Sequence, residues 1–265
     1  MLSICRFCLC LGIAALCFQQ RTDAKETIVL TPHTFSIPSG YELKRVAEPP
    51  LVKRPIHMCF DKHGALYVTD SSGNTDKAPI QLKDPQHRVL RLVDHDGDGI
   101  FDKSTVFADK LPLPEGILVH DGSVYVGAPP HIWKLRDTNG DQKADQRTVW
   151  FDGGSIEGCG NDMHGPYLGP DGFFYWCKGA FAPQDHELSN GKTLKSSAAH
   201  IYRARPDGSQ LGTVDCHHLV VVDVSCLQAN MVVVVHTATE RVVNYGQEVR
   251  LKSRIVRITC VLAIV

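Results

Sequence analysis

Asp94, Asp96, Asp98 and Asp102 stand in the pattern D-x-D-x-D-G-x-x-D. Carboxylates at alternate positions, with Gly99 permitting the turn, wrap oxygens around a hard cation such as calcium. The carbonyl of Ile100 is placed to add a further ligand. A second copy follows 43 residues later as Asp137, Asn139, Asp141 and Asp145. Neither copy carries the bidentate Glu of an EF-hand at its twelfth place, where Thr105 and Thr148 stand, and no helices flank them. A solvated Asp/Gly turn without metal is the competing reading. Four clustered carboxylates repel one another without a counter-ion, which favours a cation in the first copy. Asn139 and Gln142 lower the charge and replace the turn glycine in the second, which favours the bare turn there.

A second set of chemically able residues lies in three loops: "PPLVKRP" (49–55), "KLPLPEG" (110–116) and "SIEGCGNDMHG" (155–165). They carry Arg54, Glu115, Glu157, Asn161, Asp162 and His164. His164 near Asp162 offers a general base with a carboxylate beside it. On spacing alone, a histidine that caps a strand or bonds a carbonyl is the plainer reading. His57, His87, His120, His131 and His200 read as structural or surface residues. No GxSxG, HExxH, P-loop or GxGxxG pattern points to another chemistry.

The elements that must position these residues are strands. "RLVDHDGDGIFDKSTVFAD" (91–109) and "KLRDTNGDQKADQRTVWFD" (134–152) are one phrase written twice. Between and around them, "HMCFDKHGALYVTD", "GILVHDGSVYVGAP" and "GPYLGPDGFFYWCKG" each place two short apolar runs around a Gly turn, the sign of a β-hairpin. A third strand follows each hairpin, and a fourth follows the first two. Hairpin, loop, strand, acidic turn, strand is the four-stranded antiparallel unit of a β-propeller blade, and the 43-residue period suits such an array. The fold class is therefore all-β, a propeller of which about three blades are encoded over residues 55–213. The three loops above lead into the innermost strand of each blade, where ligands meet the central channel. "GYELKRVA" (40–47) alternates like one stray outer strand from ring closure, within an extended lead-in of residues 25–54.

The 265 residues are 43% hydrophobic and 22% charged with net charge -1, an ordinary globular balance that gives no argument for a nucleic-acid partner. Residues 1–24 read as a secretory signal. The apolar run 7–18 is too short to span a bilayer comfortably, and Thr22 and Ala24 are spaced like a cleavage site. The expected product is exported, periplasmic or cell-envelope associated, with no membrane span once the signal is removed. Six cysteines remain after it, without CxxC or CxxCH, so neither structural zinc nor covalent haem is supported. Residues 214–265 change character: valine runs, no Gly-turn hairpin, no acidic run. Either this is a divergent β segment, or the reading frame shifts near 211–213; the second is favoured.

The phrases "LVKRPIHMCFDKHGALYVTD", "LVDHDGDGIFDKSTVFADKLPLPEGILVHDGSVYVGAPPHIWKLRDTNGDQKAD" and "GCGNDMHGPYLGPDGFFYWCKGAF" resemble a family named as membrane-bound dehydrogenases, found mainly in Planctomycetes and Verrucomicrobia. The resemblance covers residues 30–212. The propeller of that family is similar to that of the soluble quinoprotein glucose/sorbosone dehydrogenases. It implies a propeller of the six-bladed type, often fused to helical repeats and a cytochrome domain. By resemblance, His164 would take the substrate hydroxyl proton while pyrroloquinoline quinone accepts hydride. Arg54 and Asn161 would contact cofactor or substrate. The implied substrate is a sugar or alcohol and the implied electron acceptor a cytochrome c. Two other functions stay open from the residues: a non-catalytic, calcium-stabilised propeller that binds carbohydrate or protein, and a lactonase-like hydrolase working through channel carboxylates.

Overall fold

A computed structural model describes residues 25–38, 42–156, 163–179, 182–214, 242–244 and 247–249. The first strands, β1 (Lys25–Leu30) and β2 (His33–Pro38), form an antiparallel hairpin. Next come β3 (Pro55–Phe60), β4 (Leu66–Asp70), a short helix α1 (Ala78–Lys83), β5 (His87–Val93) and β6 (Lys103–Leu111). The second unit is β7 (Gly116–His120), β8 (Ser123–Ala128), β9 (His131–Arg136) and β10 (Gln146–Asp152). The third begins with β11 (Met163–Leu168) and β12 (Phe174–Lys178). A hairpin, β13 (Gln184–Glu187) and β14 (Thr193–Ser196), interrupts it before β15 (His200–Ala204) and β16 (Gly212–Thr213). A last small hairpin joins β17 (Val242–Asn244) and β18 (Gln247–Val249).

Three sheets of four antiparallel strands result: β3-β4-β5-β6, β7-β8-β9-β10 and β11-β12-β15-β16. They are the blades expected from the repeated phrase, and the protein is a partial β-propeller. The second strand of the first two blades, LYVTD and SVYVGA, is buried at every residue: SVYVGA lies between the first and third blades, and LYVTD between the second blade and the segment carrying Val46, Ala47 and Val52. The hairpin between β7 and β8 turns on Asp121 and Gly122, both with positive φ (46° and 67°), the geometry of a two-residue hairpin that matches strand twist.

The core lies in the seams between sheets. Tyr67, Val89, Phe107 and Leu111 of the first blade pack against Ile117, Val124, Val126 and Leu135 of the second. Tyr125, Ile132 and Phe151 of the second pack against Met163, Phe174, Trp176 and Tyr202 of the third. Each such side chain contributes about 1.5–3 kcal/mol when fully buried. The inner strands come closer still. A Cβ on Gly116 would sit 2.0 Å from the Gly165 carbonyl oxygen, and one on Gly127 at 2.2 Å, so β7, β8 and β11 touch backbone to backbone.

The expected outer strand at residues 40–47 takes a different form. Residues 43–47 form no strand, yet Val46, Ala47 and Val52 are buried against Leu66, Leu90 and Phe101. The Phe101 N–H donates to the Val46 carbonyl at 2.8 Å, as the Ala144 N–H donates to Phe107 at 2.7 Å. Phe101 and Ala144 are one repeat apart, so 43–47 stands on the first blade where β6 stands on the second. The third blade has a fourth strand after all, β16, only two residues long. Residues 1–24 lie outside the described residues, as do 214–265 except for Val214 and the strands β17 and β18.

Candidate functional site

The inner strands β3, β7 and β11 run in the same direction. The Val119 N–H meets Cys59 Sγ at 3.3 Å toward their distal ends, and Gly116 meets Gly165 near their starts. Their starting ends therefore form one rim, and the residues just before or early in each strand gather there. Glu115 precedes β7 and its carboxylate Oε2 lies 3.5 Å from Nε2 of His164, the second residue of β11. His57, the third residue of β3, has Nε2 3.3 Å from the Tyr167 hydroxyl, with the two rings edge to face at 5.6 Å. Burial, and then the charge of His164, hold the His57 pKa below the ordinary imidazole value. Burial likewise pushes the Tyr167 phenol up. At neutral pH both are uncharged hydrogen-bonding groups, with His57 close to His164 and Tyr167 three residues farther along β11.

The cationic side of the rim is built around Asp70, which is fully buried. Its Oδ1 accepts the N–H groups of Lys53 (3.0 Å) and Arg54 (2.6 Å). Its Oδ2 accepts Nε and Nη2 of Arg88 at 2.9 and 2.7 Å. The Arg54 guanidinium donates to the Ser72 carbonyl at 3.3 Å and lies against Gly73, where an added Cβ would approach its Cζ to 2.8 Å. That turn is held in place by His87, 2% exposed, whose Nδ1 accepts the Ser72 N–H at 3.0 Å. His87 Nε2 therefore carries its hydrogen and donates to Gln81 Oε1 at 2.7 Å. Burial keeps this imidazole's pKa low.

Of the residues expected to do chemistry here, the structure brings His164 to the rim on the third blade, with Arg54 at the entry to the inner strand of the first. Its described carboxylate partner is Glu115, contributed by another blade. Asn161 and Asp162 lie outside the described residues, as does Glu157. Sequence reasoning passed over Asp70, Tyr167 and Lys178, and read His57 as structural. The buried Asp70 carries one signal, an acidic residue closing an otherwise apolar strand.

The acidic turns lie elsewhere. Antiparallel pairing puts Asp70 beside Arg88 and Leu66 beside Leu92, so the β5–β6 turn sits at the opposite end of the blade from Arg54. The β9–β10 turn is placed likewise. In the first turn Asp94 accepts the N–H groups of Gly97 (2.7 Å) and Gly99 (2.8 Å), and Asp98 accepts that of Ile100 (2.7 Å). In the second, Asp137 accepts Gly140 (2.7 Å) and Gln142 (2.8 Å), and Asp141 accepts Lys143 (2.9 Å). Asn139 accepts Asp141, and Asp145 accepts Thr138. The two turns thus share one hydrogen-bond scheme, with Gln142 forced to φ 68° where Gly99 has 85°. Among the described residues, Asp94, Asp96 and Asp102 alone bring three carboxylate oxygens within 4.8 Å of one another. Asp98 and the second turn do not join such a group. Hydrogen bonds from Gly99 and Gly97 hold the Asp94 carboxyl below the usual range, and those from His95 do the same for Asp102.

Repeated four-stranded antiparallel sheets with a histidine–carboxylate pair at the starting ends of the inner strands define the class: a β-propeller with a rim site. Residues 30–245 match the family described as a domain of unknown function, DUF7133, and the chain belongs to that family. No curated protein matches it in sequence. Among solved structures, it is similar to a protein of Thermus thermophilus described as an oxidoreductase (glucose dehydrogenase), at 15% identity and TM-score 0.42, covering 71% of this chain and 54% of that one. A calcium structure of a Trichoderma reesei carbohydrate-active enzyme of family AA12 matches at 14% identity and TM-score 0.40, covering 60% and 35%. The PQQ domain of Coprinopsis cinerea pyranose dehydrogenase, in its holo form, matches at 10% identity and TM-score 0.42, covering 81% and 51%. The chain spans about half the length of the first and third and about a third of the second. No helix among the described residues is long and apolar enough to cross a membrane.

Proposed function

We propose that this chain is the propeller portion of an exported, quinone-dependent dehydrogenase that oxidises a hydroxyl group of a sugar or small alcohol. The observation that carries the reading is the 3.5 Å approach of Glu115 Oε2 to His164 Nε2 at the rim. Oxidising an alcohol removes a proton from oxygen and a hydride from carbon. His164 takes the proton, and the carboxylate beside it stabilises the imidazolium that forms. Tyr167 and neutral His57 offer hydrogen bonds to a polyol without adding charge.

Pyrroloquinoline quinone, when bound, supplies the hydride acceptor. It is a flat tricarboxylate, and the donor set suits it. Arg88 neutralises Asp70, and Asp70 takes only backbone N–H groups from Lys53 and Arg54. The side-chain charges of Lys53 and Arg54 are therefore available to hold its carboxylates, with Asn161 a third contact by resemblance. Calcium, in this reading, sits in the first acidic turn and stiffens the blade without touching substrate. In this reading a cytochrome c, the acceptor implied by the resemblance, takes the electrons onward.

The test is dye-linked oxidation of a panel of sugars and alcohols by the purified chain after adding the quinone and calcium. Turnover that His164→Gln removes supports the reading. Bound quinone without turnover on any substrate would sink it. The gathered carboxylates of the first acidic turn favour a second reading, a calcium-stabilised propeller that binds glycans without turnover, which a glycan-binding assay in the same preparation separates from the first.

A further inference from the structure

All three blades fasten the loop that enters the inner strand at the same register position. The first residue of that strand pairs with Asp70 in the first blade, Gly127 in the second and Lys178 in the third. Asp70 gathers the N–H groups of Lys53 and Arg54. The Gly127 carbonyl accepts the Glu115 N–H at 2.7 Å. Lys178 Nζ donates to the Ser155 carbonyl at 3.0 Å. Asp70 and Lys178 are both 0% exposed. A buried charge is costly unless it is paired and hydrogen-bonded, and the second blade does the same task with backbone alone. The charged versions therefore call for a reason beyond closing the loop.

In the first blade the reason is geometric. Oδ1 of Asp70 fixes two consecutive N–H groups, so the directions in which the Lys53 and Arg54 side chains leave the backbone are set together. The Ser71 N–H closes the turn by donating to the Arg54 carbonyl at 2.8 Å, and the guanidinium then lies along Ser72 and Gly73. We infer that Asp70 is a positioning residue: by fixing the backbone of Lys53 and Arg54 it holds the Arg54 guanidinium at the starting end of β3 and so sets the affinity for a carboxylate-bearing ligand. Only the identity of that ligand rests on the proposed function.

The experiment uses the full chain, with pyrroloquinoline quinone as the probe and fluorescence titration well below the melting temperature of each variant. Asp70→Asn is expected to weaken binding about tenfold, Arg54→Ala by a similar factor, and the double variant little more than either alone. Losses that multiply, or an Asp70→Asn variant that melts earlier yet binds like the wild type, would overturn the inference. Should the wild type bind no quinone, the cofactor part of the proposed function fails, while the positioning role is read separately by amide hydrogen exchange. Asp70→Asn must then lower protection of the Lys53 and Arg54 amides about tenfold relative to β3, and unchanged exchange overturns the role. If Asp70→Asn does not fold, Asp70→Glu, which keeps the charge but moves it, is judged by the same criteria.

Discussion

The Tyr167 hydroxyl stands 3.3 Å from Nε2 of His57, linking the inner strand of the third blade to that of the first across 110 residues of sequence. Neighbouring blades meet through apolar seams, whereas this contact joins two blades separated in the chain by the second. It also places an imidazole in poorly solvated surroundings close to another histidine.

His57 should therefore titrate below 6.5, the ordinary imidazole value, with burial as the main cause and His164 the second. The unfolded chain binds this proton more readily than the folded one. The stability contributed by neutral His57 is thus complete above about pH 6.5 and is lost as pH falls through the lower folded value. Tyr167→Ala admits water to the ring and should raise the His57 midpoint toward 6.5, while Tyr167→Phe should move it little. Imidazole proton shifts followed by NMR against pH decide this; a wild-type midpoint at or above 6.5 is the contrary result.

Replacing His164 by Gln should lower kcat about 10²–10⁴-fold, the usual worth of a positioned general base. Glu115→Gln keeps the size of the side chain but removes the charge that stabilises the imidazolium, so its effect on kcat should be smaller. Circular dichroism and melting of both variants should stay close to the wild type, since both side chains are partly exposed at the rim. Steady-state rates in the dye-linked assay are the measurement. Equal, slight effects of the two changes would remove His164 from the proton-transfer role.

The blades were legible because their signals are local. A Gly turn between apolar runs, and a phrase repeated after 43 residues, need only neighbours in sequence. The β13–β14 hairpin left no such trace: QDHE and TLKS are polar apart from Leu194, and their buried residue is a glutamine, Gln184, rather than an apolar one. The helix α1, APIQLK, is under two turns long and too short for a periodic stripe. The rim was half legible. Arg54, Glu115 and His164 stand out by lying just before or inside the inner strands. That Glu115 meets His164, or that His57 meets Tyr167, depends on how blades pack around an axis, and no spacing in the sequence encodes it. Asp70 looked like the end of a strand, because burial of its carboxylate comes from Arg88, 18 residues away.

Gly116→Ala tests the seam between the second and third blades. The added Cβ would fall 2.0 Å from the Gly165 carbonyl oxygen, a backbone atom that no side-chain rotation can clear. Destabilisation should reach at least the upper end of the about 1–3 kcal/mol that overpacking costs. Gly212→Ala is the control, because nothing lies within 4 Å of its added Cβ and its φ is not positive. Urea melts of the two variants should differ by this amount; similar midpoints would mean that β7 and β11 do not pack as closely as described.

Calcium, if it binds, should choose the first acidic turn over the second, although the two share a hydrogen-bond scheme. Asp94, Asp96 and Asp102 already hold their oxygens within 4.8 Å of one another, whereas Asn139 replaces the second of these carboxylates in the other turn. Asp96→Asn, which makes the first turn resemble the second, should weaken calcium at least about tenfold in calorimetric titration. Asp141→Asn should leave the affinity unchanged. The pH dependence follows from the same bonds. Hydrogen bonds from Gly99 and His95 hold the Asp94 and Asp102 carboxyls below the usual range, so these two ligands should keep their charge, and their share of calcium affinity, into stronger acid than ordinary carboxylates do.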